Sequence, residues 1–154
     1  MNYPPTTIYV KRDGAGFASR MVSPSGVLMA THDYAATILQ SADLVQAMAK
    51  ERGWAMNGSD PIINVTDGIK DEYIAECNAE KCHKIAIDIT ECERMLLDLY
   101  QNAWQQLPSR PREIIYDACG QMQKFIKELH EEMKATGYAY DDETESAIKI
   151  EGEK

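Results

Sequence analysis

The sequence predicts an α+β fold: an N-terminal three-stranded antiparallel β-meander plus helix, then a long antiparallel α-helical hairpin and a mobile acidic tail. Three observations predict it. Short apolar segments between residues 6 and 31 are separated by Asp13-Gly14-Ala15-Gly16 and Ser23-Pro24-Ser25-Gly26, both turn sequences. Cys82, Ile85, Ile89, Cys92, Leu96, Leu99 and Ala103 recur at alternating three- and four-residue steps. Ile115, Ala118, Met122, Phe125 and Leu129 repeat that rhythm after a Pro-broken loop. Side chains so spaced share one stripe of a helix, and two stripes joined by a short loop make a helical hairpin. The expected organisation is a small module over 1–66, the hairpin over 67–137 and the acidic tail over 138–154.

Thr6 to Arg12 is the first expected strand, with Ile8 and Val10 on one face. The Asp13-Gly14 step favours the positive backbone angles of a hairpin turn. Phe17 to Val22 returns, Pro24 and Gly26 shape the second turn, and Val27 to Ala30 is the third strand. A helix from about Tyr34 to Arg52 is expected, capped by Asp33 and ended by Gly53, with Ser41 a potential break. The apolar segments Trp54 to Met56 and Ile62 to Val65 suggest a further small hairpin.

Thr66-Asp67-Gly68 opens the long helical region, with Asp71 and Glu72 in its first turn where the helix dipole favours acids. The stretch Lys84 to Thr90 also alternates like a strand, and Thr90 with Glu93 would cap a new helix. Continuity to Leu107 is preferred, because Ile85 and Ile89 fit the stripe on both sides. Pro108 and Pro111 close the first helix and open the second, which should end near Thr136-Gly137. Beyond it, acidic surroundings argue for disorder, although Ala147 to Ile150 has edge-strand character.

Charge is distributed unevenly. The chain carries −9 overall, yet residues 1–60 are neutral, so the whole excess lies in the helical half and tail. Such a surface repels nucleic-acid backbones and membranes and attracts basic surfaces. No run of 18 apolar residues occurs, so no membrane span is expected. Met1-Asn2-Tyr3-Pro4-Pro5 lacks the charged and apolar regions of a signal peptide. A cytoplasmic protein is the resulting expectation.

Motifs for chemistry are weak. Cys77, Cys82, His83 and Cys92 point in diverging directions on a continuous helix and lack a Cys-x-x-Cys knuckle, so no metal site is expected. His130-Glu131-Glu132-Met133-Lys134 starts like a zinc-protease helix but lacks the second histidine. No phosphate loop or nucleophile elbow is present, and neither catalytic residues nor a cofactor are assigned.

The leading reading is a non-enzymatic interaction module acting through an acidic helical surface. Its residues are Asp88, Glu91, Asp98, Glu113, Asp117, Glu128 and Glu131, and its partner is a basic protein surface. It would act as a regulator, adaptor or inhibitor, of the kind phages and mobile elements encode. Off-stripe side chains (Tyr73, Met95, Tyr100, Trp104, Tyr116, Ile126, Met133) need cover, which a homodimer through the hairpin would supply.

One alternative is a Mg²⁺-dependent enzyme acting on nucleotides or phosphates, with Asp88, Glu91, Asp98, Glu113 and Asp117 converging from facing helices. All-α nucleotide pyrophosphatases use Glu-x-x-Glu and Glu-x-x-Asp pairs in this way. The likeness here stops at Asp88-x-x-Glu91, because Glu113-x-x-x-Asp117 has a different spacing. Another alternative is nucleic-acid binding by the meander, with Lys11, Arg12 and Arg20 on its exposed face around Tyr9. Overall charge makes nucleic acid the less favoured partner.

Overall fold

The computed structural model describes residues 6–54 and 60–151. The expected strand over Trp54 to Met56 falls largely outside them. The chain divides into two compact units between Cys77 and Asn78.

In the first unit β1 (Thr7–Asp13), β2 (Gly16–Val22) and β3 (Leu28–Ala35) form the expected antiparallel meander. Asp13 pairs with Gly16 around the turn, and Gly14 takes the positive φ of 58° that this tight reversal requires. The chain then forms α1 (Ile38–Glu51) and β4 (Ile62–Val65). β4 makes no separate hairpin. It pairs parallel with β1, giving the sheet order β3-β2-β1-β4. A parallel partner on the far edge needs a crossover, so α1 traverses the sheet between β3 and β4.

Strand alternation decides the two faces. Ile8, Val10, Phe17, Met21, Met29, Ala30 and Val65 pack with Ile38, Ala42, Val45 and Ala49 of α1. Ser41 does not break α1. It is fully buried, and its carbonyl accepts a hydrogen bond from Ser19 Oγ at 2.8 Å, tying the helix to β2.

The helix starts later than expected, because β3 runs through His32 and Asp33 to Ala35. The cap is Thr37, whose Oγ1 accepts from the Gln40 N–H at 3.1 Å, while Gln40 Oε1 accepts from the Ala36 N–H at 3.0 Å. Glu76 supplies the remainder, its carboxylate oxygens accepting from the Ile38 and Leu39 N–H groups at 3.0 and 2.9 Å. These satisfy donors that helix geometry leaves orphaned. At the other end Gly53, at φ 83°, and Trp54 donate to Lys50 and Ala49 carbonyls in a Schellman arrangement.

The long helix α2 (Lys70–Asp98) is unbroken through residues 82–90. Thr90 caps nothing; its hydroxyl donates back to the Ala86 carbonyl at 3.0 Å. The helical path continues as a π turn at Leu99–Ala103 and a 3-10 turn at Trp104–Gln106, before Pro108 leads into α3 (Ser109–Ala135). Pro111 occupies the first turn, where its missing N–H costs nothing.

In the second unit Cys82, Ile85, Ala86 and Ile89 of α2 pack with Leu129 and Met133 of α3. Lys81 pairs with Glu132 at 2.7 Å, and the Cys82 thiol lies 2.8 Å from Thr136 Oγ1, so the start of this unit's α2 faces the end of α3. The helices are antiparallel, as expected. The α3 stripe is rotated from the expected one. Cys119 is buried and Ile126 half-buried, whereas Phe125 is 48% exposed and Ala118 is exposed.

The cause is the segment read as tail. It forms a second antiparallel sheet, β5 (Tyr138–Asp141) with β6 (Ser146–Lys149). Tyr138, Tyr140 and Ala147 pack on the helical cluster beside Ile126. Tyr140 stacks edge-on to His130, with centroids 5.5 Å apart, and its hydroxyl lies 2.7 Å from Thr90 Oγ1. Arg94 pairs with Glu145 at 2.6 Å. The short strands pay back their acidic surroundings by covering apolar surface that a two-helix hairpin leaves bare.

Two substitutions test this packing. Met133→Ala, at a fully buried site, should lower unfolding stability by about 2–5 kcal/mol in urea titrations, while Phe125→Ala should cost under about 1 kcal/mol. Glu76→Ala should cost about 1–2 kcal/mol through loss of the α1 cap, read in the same titrations.

Candidate interaction surface

The Lys81–Glu132 ion pair marks one flank of the helical hairpin. Residues seven apart on an α-helix return to nearly the same direction. Asp88 and Met95 therefore share that flank on α2, and Phe125 and Ala118 share it on α3, with Ile114 one turn further on. His130 and Thr90 lie roughly 160–180° around their helices from Glu132 and Lys81, and these are the residues that Tyr140 touches. One flank is thus covered by β5 and β6, and the other is open.

The open flank has an apolar centre. Met95 is 56% exposed, Ile114 68% and Phe125 48%. Helical spacing sets the three on one flank, and exposed apolar residues grouped among charges are the form an interface takes. Its rim is acidic on both sides. Asp88 flanks the strip on α2, with Glu91 and Asp98 about 60–80° further out. On α3, Asp117 and Glu128 border it, with Glu113 and Glu131 beyond. All seven predicted residues are exposed.

Several nearby cations are engaged. Lys81 pairs with Glu132, Lys84 with Glu80 at 2.9 Å, and Lys124 approaches Glu128 at 4.0 Å. The field of the acids is registered by Cys92, whose thiol is pushed above its ordinary range by burial and by Asp88, Glu91 and Glu93.

The structure spreads these carboxylates along two outer edges and does not gather them. Among the described residues no group of three His, Cys, Asp or Glu side chains is placed to share a metal ion. The five carboxylates of the Mg²⁺ reading therefore do not form one pocket. Of the cysteines, Cys82 sits buried in the seam, Cys119 is buried, and all four are free thiols.

Of the off-stripe side chains that wanted cover, some find it and others, Tyr100 and Tyr116 among them, stay exposed. Tyr73 packs with the first unit's core. Tyr100, Trp104 and Tyr116 form a tilted series with centroids 6.3 and 6.2 Å apart. Met133 and Ile126 lie in the cluster under β5, while Met95 stays open.

The meander's basic residues do not share a face. Tyr9 and Arg20 are cross-strand partners on the side away from α1, and the Arg20 guanidinium lies over the Tyr9 ring at 5.0 Å. Arg12 instead pairs with Glu72 and covers the buried Phe17 ring at 5.0 Å. Its partner Glu72 comes from α2, which strand parity alone does not reveal. Another missed feature, the Thr37-x-x-Gln40 cap, was present as a sequence motif and was hidden only by placing the helix start too early.

No family model, curated protein or solved structure matches this chain. No helix among the described residues is long and apolar enough to cross a membrane.

One electrostatic consequence is measurable. Burial, together with Asp142 and Glu145 of the hairpin, raises the Glu93 carboxyl above its ordinary range, while His130 acts the other way. A carboxyl raised in the folded state favours folding below its folded pKa, and that advantage fades as pH rises through it. Glu93→Gln should therefore raise the melting temperature at neutral pH and change it little near pH 4, by calorimetry across that range.

Proposed function

We propose that this protein is a non-enzymatic interaction module whose open helical flank docks a basic partner, specifically an amphipathic helix with an apolar centre and Lys/Arg edges. The observation that carries this is the exposed strip of Met95, Ile114 and Phe125 between two acidic borders. A third helix laid along α2 and α3 would cover the apolar strip by helix-in-groove packing. Its cations would meet Asp88, Glu91 and Asp98 on one side and Asp117 and Glu128 on the other. The apolar centre would provide most of the affinity, and the acids would provide orientation and association rate. A second copy of the same flank would set acid against acid, so this reading favours a different chain over a homodimer. Four free thiols support a reducing, cytoplasmic setting.

The test uses two synthetic amphipathic helices with identical apolar faces, one bordered by lysine and one by glutamate. The lysine peptide should bind the intact protein more tightly, should weaken as salt is raised, and should lose at least about ten-fold in affinity with Phe125→Asp. Equal binding of the two peptides, or indifference to Phe125→Asp, would overturn the proposal. Capture of a cellular partner by the wild type but not by Phe125→Asp would then identify the natural ligand.

A further inference from the structure

We infer that the open face of the N-terminal sheet is a nucleotide-binding surface, on which a base stacks against the Tyr9–Arg20 pair while its phosphate meets Lys11 and Arg20. This site lies in the first unit and is independent of the helical flank.

The register supplies the first argument. Thr31 pairs with Arg20, Arg20 with Tyr9, and Tyr9 with Asn64. One row of side chains therefore crosses all four strands on the face away from α1. Its middle is an aromatic ring with a planar guanidinium over it, and its ends are a hydroxyl and an amide. Bases stack on tyrosine rings and on arginine planes alike, and Asn and Thr side chains reach base edges. The arrangement is a flat platform with hydrogen-bonding groups at both sides.

Shape is the second argument. The next row pairs Lys11 with Ala18. Ala18 is buried and carries only a methyl group, so the face is concave there, with a groove of about 590 Å³. That volume lies in the range of small-ligand sites. On β3 the groove is bordered by Thr31 and Asp33, while His32 stands opposite Ser19 in the register, on the α1 side.

Charge narrows the ligand. Lys11 and Arg20 are balanced by Asp13 and Asp33 around the same groove. A balanced site does not suit a long phosphate track, which needs a surplus of cations. It suits one nucleotide, with a cation for the phosphate and a carboxylate to accept from an exocyclic amino group. The nucleotide comes either free or as one residue of a single strand.

The experiment is an NMR titration of the ¹⁵N-labelled intact chain with CMP, with AMP, and with oligo(U) and oligo(dT) of roughly eight nucleotides. Amide shifts should map to residues 7–13, 16–22 and 62–66. Tyr9→Ala should weaken binding about ten-fold and Tyr9→Phe should retain it, since stacking needs the ring and not the hydroxyl. Arg20→Ala should also weaken it, while Arg12→Ala, on the α1 side, should not. Tighter binding of oligomers than of mononucleotides identifies a single strand as the source, and equal binding identifies the free nucleotide; both support the inference. Shifts confined to other residues, no shift at millimolar ligand, or affinity unchanged by both Tyr9→Ala and Arg20→Ala would overturn it. Phe125→Asp leaves this binding intact, so the outcome is separable from that of the helical flank.

Discussion

The packing of Cys82, Ile85 and Ile89 against Leu129 and Met133 is the constraint on which the second unit depends. Two helices share only one seam, so each presents two flanks that the seam itself cannot bury. The chain covers one of them with its own last strands. Tyr138 and Tyr140 bring large aromatic area to that side, and the hydroxyl of Tyr140 finds Thr90, so little polar cost accompanies the burial. The flank that remains open is therefore defined by subtraction. Its apolar residues are those that the seam, rotated toward the β-hairpin, leaves behind.

The first unit solves a related problem differently. A sheet with alternating side chains has one face for a core and one for solvent. α1 occupies the first, and it is held by groups that come from elsewhere in the sequence. Glu76 closes its start, and Ser19 ties its middle to β2. The opposite face keeps a row of polar and aromatic side chains in strict register, because pairing to both neighbours leaves β1 and β2 little freedom to slip. The same alternation that builds the core thus sets Arg20 and Asn64 each one strand from Tyr9, on either side of it.

The charge pattern differs between the two units. Residues 1–60 carry balanced charges of both signs, and the second unit carries exposed carboxylates, some of its acids paired with lysines as in Lys81–Glu132 and Lys124–Glu128. An acid-bordered apolar strip and a charge-balanced polar groove would suit different ligands. The first would select by complementary sign around a desolvated centre, the second by shape and hydrogen bonding.

Local rules read much of this from the residues. Asp13-Gly14 and Pro24 with Gly26 mark the meander's turns, Gly53 and Gly137 end helices at positive φ, and three-four spacing sets out the seam of α2. The acidic edges were legible too, because helical spacing alone places Asp88 and Glu128 on the surface. What the sequence determined, then, is which segments are strands and helices and which side chains are apolar. Tertiary structure alone decided the parallel docking of β4, the pairing of Arg12 with Glu72, and the capping of α1 by Glu76, since each joins residues whose separation along the chain carries no signal. It also decided the turn of α3 that buries Cys119 and exposes Phe125. Both stripes keep helical spacing, and only the arrival of β5 on one flank chooses between them.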